Sequence, residues 1–472
     1  MALKRLLPFL LVFTATLARA EESWMGIYLQ GNKLGYASYR TSPEGLDGKP
    51  GSRTDSTTVL SSKMLGAALA MKITSTTWLD PKGAPIRMKF LTESSDRSQT
   101  LLADFSVNQI KVQIDNNGAK SSKTLPIPAG AKIVDDATSA FMVGDRPPVG
   151  KSMDFYVLDP TTVSLIKNTA VYRGKMQTEV REKQTDAEMI EIQDPRATTK
   201  VFMSSKGDLL KIEGPLGMVM LPETKDEALA EADASKPKAD LAFATAINTT
   251  PRIERASSLK RLRLDISGLS LERLPSDPHQ TVQRSGSSWI IDVHPVAPTV
   301  SSKTTIAAAA KNREVWIKPA MHMPSSGAEF KSLAKRIIGS DKSLLGATQK
   351  VRDHVHSIMS PNAGIGVLRD ASEVLKTKEG VCRDYAILTA TLLRAAGIPA
   401  RLCSGLLAEQ GQLFYHAWVE VWTGREWIGV DSTRAERAFS AAHIKLAQGN
   451  VEEAFTFFVL DGAKVKVLET KY

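Results

Sequence analysis

From Trp24 to Leu221 polar and apolar residues alternate along short runs rich in Ser and Thr, a period of two that predicts antiparallel sheet. Turn chemistry punctuates the runs at Gly31-Asn32, Asp80-Pro81-Lys82-Gly83, Asn116-Asn117-Gly118 and Lys206-Gly207-Asp208. Two stretches, WLDPKGAPIRM (Trp78 to Met88) and FMSSKGDLLKI (Phe202 to Ile212), align at an offset of 124 residues. They share an aromatic start, a Lys-Gly pair and a basic residue four places after the glycine, which suggests a repeated hairpin unit. The alternation stops at Glu223, where ETKDEALAEADASKPKAD is charged and Ala-rich, as a linker or solvated helix is. KRLRLDIS (Lys260 to Ser267) and TVQRSGSSWIIDVHPV (Thr281 to Val296) then read as a smaller β module, before helical spacing begins near Ser326.

The period changes again toward the C-terminus. Leu344 to Ile358 is amphipathic at helical spacing, and Arg383 to Ala396 is rich in Ala, Leu and Ile without a breaker. Gly397 suits a C′ position and Pro399 forbids continuation, so a buried helix is expected to start at or just before Cys382 and end near Ala396.

The first twenty residues stand outside this pattern. Lys4 and Arg5 precede an apolar run from Leu6 to Leu17, then Ala18-Arg19-Ala20, the signature of a cleaved secretory signal peptide. No later apolar run approaches the ~18 residues that cross a bilayer, and no cysteine lies at the cleavage point to carry a lipid anchor. The expected product is secreted or periplasmic. It carries 58 basic against 51 acidic residues, a balance of +7. That balance suits an anionic cell-envelope surface, but without a basic cluster it does not argue for nucleic acid.

An exported chain makes its two cysteines, Cys382 and Cys403, candidates for a disulfide. Geometry argues against one. The helix carries the chain ~20 Å from Cys382, and the following strand ARLCSGLL returns only ~10 Å by Cys403, whereas a disulfide needs Cα atoms within ~7 Å. Cys403 reads as a buried small hydrophobe. Cys382, on the first turn of a helix after Glu379-Gly380, feels the positive end of the dipole and backbone N–H groups that stabilise a thiolate.

A base and an orienting acid follow in FYHAWVEVWTGREWIGVDST (Phe414 to Thr433). His416, Trp418, Glu420 and Trp422 alternate with Ala417, Val419 and Val421 as a half-buried strand does, and Trp427 to Asp431 reads as its return. With an even loop around Gly424, His416 meets Asp431 directly or on the diagonal through position 433; an odd loop puts them on opposite faces. Trp418 and Tyr415 read as packing residues. His354 and His356, two apart on a helix, make a poor metal pair, and no His, Cys or acidic cluster has zinc or EF-hand spacing, so no metal or cofactor is expected. Arg383 and Asp384 read first as an ion pair or helix-end contact beside the thiol.

Together GVCRDYA (Gly380 to Ala386), RAAGIPARL (Arg394 to Leu402), YHAWVEVW (Tyr415 to Trp422) and GVDST (Gly429 to Thr433) resemble the core of the bacterial transglutaminase-like superfamily. The resemblance implies a papain-like α+β domain with nucleophile Cys382, base His416 and orienting carboxylate Asp431. One departure is Ser432, where many relatives have proline. It also implies acyl transfer on protein or peptide amides, glutamine side chains among them, through a thioester resolved by an amine or by water. A catalytically silent scaffold and an envelope-binding role for the β region are the alternative classes. The architecture expected is therefore multidomain, with N-terminal antiparallel β domains before a C-terminal α+β one: a signal peptide (1–20), a β-rich domain (21–222), a linker (223–245), a small β module (246–318) and the transglutaminase-like domain (319–472).

Overall fold

The computed structural model describes residues 22–64, 67–94, 97–135, 147–194, 197–230, 240–269, 273–295, 304–364, 368–455 and 463–472. The signal-peptide segment lies outside these residues. The chain divides into two compact units, 1–244 and 245–472.

The first unit is one fourteen-stranded sheet in which every pairing is antiparallel. Strands adjacent in sequence pair with one another, except that Ala119–Pro126 and Ser152–Asp159 lie at opposite edges of the sheet, and the first strand, Glu22–Leu29, pairs with the last, Met218–Glu223. The antiparallel strands expected from the alternation form a single sheet, because that pair joins its two runs of hairpins. The turn signals fall at hairpin turns. Gln30-Gly31 and Asn117-Gly118 have φ of 50° and 77°, and 52° and 94°, the left-handed pairs that match strand twist in two-residue hairpins. The suspected repeat has matching turns. Asp80 Oδ1 accepts from the N–H groups of Lys82 and Ala84, and Ser204 Oγ accepts from those of Lys206 and Asp208. The Glu223 to Asp240 stretch supplies a short helix, Lys225–Leu229, capped reciprocally by Thr224 and Glu227; its residues 231–239 are outside the described set.

The second unit carries a nine-stranded mixed sheet. Its strands run in the order Gln280–Ser285, Ser288–Val293, Arg261–Ser267, Lys464–Lys471, Ile247–Thr250, Gln412–Trp422, Ala400–Glu409 and His443–Gly449, with Trp427–Val430 paired on Gln412–Trp422. The strands expected to form a small module of their own at 246–318 belong to this sheet. The reason is long-range: Lys464–Lys471 inserts between Arg261–Ser267 and Ile247–Thr250, and one core runs from Ile247 through Leu264, Ile291 and Leu406 to Val467. Local periodicity cannot report a partner two hundred residues away.

The helix Cys382–Ala395 packs on the strands Gln412–Trp422 and Ala400–Glu409 and against the helices Ala328–Ile338, Leu344–Ile358 and Ala371–Thr377. Its residues from Arg383 to Arg394 are all buried. It ends as its sequence implies: Gly397 takes φ 79°, the Ile398 N–H donates to the Leu393 carbonyl and the Gly397 N–H to that of Arg394. Among the described residues no helix is long and apolar enough to cross a membrane.

Candidate active site

Cys382 is the first residue of its helix, and the segment before it is held from below. Asp384 Oδ2 accepts the Val381 N–H at 2.9 Å, closing the helix start, while Asp384 Oδ1 accepts from Arg369 Nε at 3.2 Å. Arg369 donates further to Thr377 Oγ1 at 3.0 Å and to the Glu379 carbonyl. Gly380 is required by this arrangement, since a Cβ there would meet Arg369 Nη2 and the Asp384 Cβ at 2.6 Å. The Asp384 reading as a helix-end contact and ion pair matches these bonds.

Both cysteines are free thiols. Cys403 is fully buried opposite Trp418; burial first, then the Glu420 charge, pushes its pKa well above the ordinary thiol range. Cys382 is half-buried and moves the other way. Burial opposes its thiolate, but a hydrogen bond and the charge of His416, helped by the Ala417 N–H, outweigh it and lower the pKa.

His416 lies on the strand Gln412–Trp422, and its return Trp427–Val430 is joined by four residues, with Val419 opposite Val430 and Trp422 opposite Trp427. In that register position 433 faces 416, so Asp431 approaches His416 on the diagonal, just past the last ladder pair. His416 Nε2 donates to Asp431 Oδ2 at 2.8 Å. The hydrogen bond to Cys382 then falls to the ring's other nitrogen. Burial alone would lower the His416 pKa; the charge and hydrogen bond of Asp431, then Cys382, raise it to about 10. Asp431 is buried too, yet His416 and then His443 hold it well below the carboxylate range.

The carboxylate is fixed on every side. Asp431 Oδ1 accepts from the Thr433 N–H at 2.8 Å and Thr433 Oγ1 at 2.7 Å. Its backbone carbonyl accepts from Arg352 Nε at 3.2 Å, and Arg352 also reaches the carbonyls of Arg434 and Glu436. His356 Nδ1 donates to the Ser432 carbonyl at 3.0 Å, and the Ser432 hydroxyl meets Thr389 Oγ1 on the Cys382 helix at 2.7 Å. The departure at Ser432 thus has a partner of its own.

Sequence reasoning missed Arg352, Arg369, Thr389 and His443. The last lies on His443–Gly449, where its Nε2 is 3.1 Å from the same Asp431 Oδ2 that His416 engages. The available signal was the alternation of His443 and Lys445 with Ile444 and Leu446 along this strand. His443 stacks on Phe439 (centroids 4.0 Å apart) and meets Trp418 edge-on at 5.4 Å. Gly429 leaves the space for Phe439, whose ring would lie 2.5 Å from a Cβ. Trp418 is buried and Tyr415 packs against the sheet core. His416, Asp431 and His443 place three potential ligand atoms within 4.8 Å, a grouping that spacing did not reveal. Those atoms are engaged with one another, so an ion there would have to replace the proton between His416 and Asp431.

A thiol on the first turn of a helix, an imidazole on the strand beneath it and a carboxylate at the hairpin's return define an α+β protein with a cysteine, histidine and aspartate site. Residues 331–432 match the transglutaminase-like superfamily, and the chain carries a domain of that superfamily there. Residues 23–209 match DUF3108, a family of proteins of unknown function. An uncharacterised protein of Mycobacterium leprae is 28% identical over 166 residues, 32% of this chain and 57% of the relative. An uncharacterised protein of Mycobacterium tuberculosis is 43% identical over 76 residues, 13% of this chain and 24% of the relative. The chain thus spans 57% of the one and 24% of the other. Among solved structures, a chain from Cytophaga hutchinsonii provisionally named a cysteine protease aligns with a TM-score of 0.34 at 16% identity, over 45% of this chain and 89% of that one. One from Parabacteroides distasonis, provisionally named a protease, aligns with a TM-score of 0.20 at 11% identity, over 76% and 69%.

Proposed function

We propose that the C-terminal unit is a papain-like enzyme performing cysteine-dependent acyl transfer on protein or peptide amides, in a protein exported to the periplasm or beyond. The observation that carries this reading is the chain of hydrogen bonds from Cys382 through His416 to Asp431, which lowers the thiol pKa against the pull of burial. The Cys382 thiolate attacks the amide carbonyl carbon, and the oxyanion is received by the backbone N–H of Cys382 at the helix start. As the C–N bond breaks, the His416 imidazolium gives its proton to the departing nitrogen, leaving a thioester and neutral imidazole. Neutral His416 then takes a proton from the incoming amine or water as it attacks the thioester carbon. The C–S bond breaks, and the departing thiolate and the imidazolium restore the starting pair. An amine acceptor gives transamidation; water gives deamidation or peptide hydrolysis.

The test is to offer a glutamine-containing protein with and without a primary amine, and to measure ammonia release, amine incorporation and chain cleavage. Activity lost in Cys382→Ala with the fold intact supports the reading. No turnover, together with an ordinary Cys382 thiol, would establish a silent scaffold instead. Export predicts a mature N-terminus at Glu21, read by terminal sequencing of the protein recovered from the envelope fraction.

A further inference from the structure

Asp431 Oδ2 has two imidazole partners, and the chemistry so far uses one. His416 Nε2 lies 2.8 Å from it and His443 Nε2 3.1 Å. The second ring is as firmly placed as the first: it is buried, stacked on Phe439 and edge-on to Trp418, with Nδ1 3.2 Å from the Ser440 carbonyl oxygen. Burial lowers its pKa against the pull of Asp431, with the His416 charge acting in the same direction as burial. A neutral ring has one proton to place. A carboxylate is a stronger acceptor than a carbonyl, and an unprotonated Nε2 would set a lone pair against it, so the proton belongs on Nε2.

We infer that His443 is a positioning residue of the site: by donating to Asp431 Oδ2 it divides the carboxylate's negative charge and limits how strongly Asp431 stabilises the His416 imidazolium. The inference rests on the acyl-transfer reading above, in which the His416 imidazolium must release its other proton, the one on the nitrogen facing Cys382, to the leaving nitrogen. A carboxylate that paired with the imidazolium without competition would strengthen the ion pair and weaken the acid. Orientation alone does not need His443, because Thr433 fixes Oδ1 through two hydrogen bonds and Arg352 holds the Asp431 carbonyl. Other charges near the ring are engaged elsewhere. Arg434 and Glu436, on the loop after Asp431, line the small pocket that reaches His443; Arg434 pairs with Glu409 at 2.6 Å and with Glu436 at 3.7 Å. Lys445, two residues along the same strand, is bound to Glu420 at 2.6 Å and to Asp277.

The experiment is the rate of Cys382 carboxymethylation by iodoacetate against pH, read by mass spectrometry on the full chain, for wild type, His443→Phe and His443→Gln. The anionic reagent is drawn by the His416 imidazolium, so its rate falls on the basic side as that proton leaves. Phe keeps the stack on Phe439 but cannot donate, and should move the basic limb up by about one pH unit, the scale of one hydrogen bond to a carboxylate. Gln restores a donor and should return the limb to the wild-type position. An unmoved limb in His443→Phe overturns the inference, as does a shift that Gln does not reverse. If the Phe variant fails to fold, His443→Met takes its place. Independently, nitrogen NMR of the wild-type histidines at neutral pH should show the His443 proton on Nε2, and a proton on Nδ1 alone overturns the inference. A wild-type Cys382 that reacts as an ordinary thiol defeats the acyl-transfer reading itself. A normal wild-type profile with unmoved variants defeats only the role of His443.

Discussion

Arg369 and Asp384 form an ion pair with neither side chain exposed to solvent, and the pair fixes the start of the helix that carries Cys382. Its partners explain why two charges tolerate burial. Asp384 also closes the helix N-terminus, and Arg369 satisfies a hydroxyl and a backbone carbonyl on the approach to Gly380. Breaking such a pair on one side leaves an uncompensated buried charge, which is worse than removing both.

Arg369→Met should therefore destabilise the chain by about 3–5 kcal/mol, whereas Arg369→Met with Asp384→Leu should recover part of the loss. Thermal unfolding of the three proteins checks the order. If the double variant is the least stable, the pair contributes more than its own desolvation costs.

The two thiols should differ in reactivity. Cys382 is lowered by His416 and half-buried, while Cys403 is raised and fully buried. Limited alkylation at neutral pH followed by peptide mapping should label Cys382 alone, and Cys403 only after unfolding. Equal labelling of the native protein would remove the special character assigned to Cys382.

Ser432 and Thr389 exchange a buried hydroxyl bond of 2.7 Å that ties the loop after Asp431 to the Cys382 helix. Ser432→Ala should cost about 1 kcal/mol and strand the Thr389 hydroxyl, and Thr389→Val added to it should cost little more. A double-mutant cycle in denaturant gives the coupling directly. Fully additive losses would mean that the contact contributes nothing as a pair.

Much of the site was legible because its determinants are local. The first turn of a helix, the alternation around His416 and the turn at Gly424 are each set within a few residues; with an even loop they bring Asp431 to His416 directly or on the diagonal, and the four-residue loop of the structure selects the diagonal. What holds those groups was not legible. Arg352, Arg369 and His443 reach the site from segments whose periodicity marks them only as helix face, loop or strand. The same limit hid the architecture of the sheet. Arg261–Ser267 reads as a strand wherever it lies, and only its pairing with Lys464–Lys471 shows that it belongs with His416 rather than in a module of its own.

Stability should fall on the alkaline side through His416. Its folded pKa is raised to about 10, with burial opposing and Asp431 and Cys382 favouring the charged form, against ~6.5 for an unfolded histidine. The native state then keeps a proton that the unfolded state has lost. The contribution is complete below ~6.5 and disappears as pH rises through about 10. Unfolding midpoints from pH 6 to 10.5 should decline more steeply in wild type than in His416→Gln. Equal slopes would show that the imidazolium is not what the fold stabilises.

The last prediction concerns Asp431→Asn. Oδ1 is committed to Thr433 through an N–H and a hydroxyl, so in the variant the amide oxygen should stay there and the NH2 group should take the place of Oδ2. That position faces Nε2 of both His416 and His443, and a donor now confronts two donors. His416 must give up the proton on Nε2, which moves its remaining proton to the nitrogen facing Cys382 and removes the charge that favoured imidazolium. In a serine-protease triad the equivalent change costs ~10⁴ in rate. A thiolate already paired with imidazolium depends less on its orienting group, so a loss of ~10² in turnover is expected, with a rise in the pH at which Cys382 alkylates. Steady-state rates and alkylation profiles of the two proteins measure both effects. Wild-type values for each would mean that Asp431 is not what holds His416, and the roles assigned to the site would have to be redrawn around another acid such as Glu420.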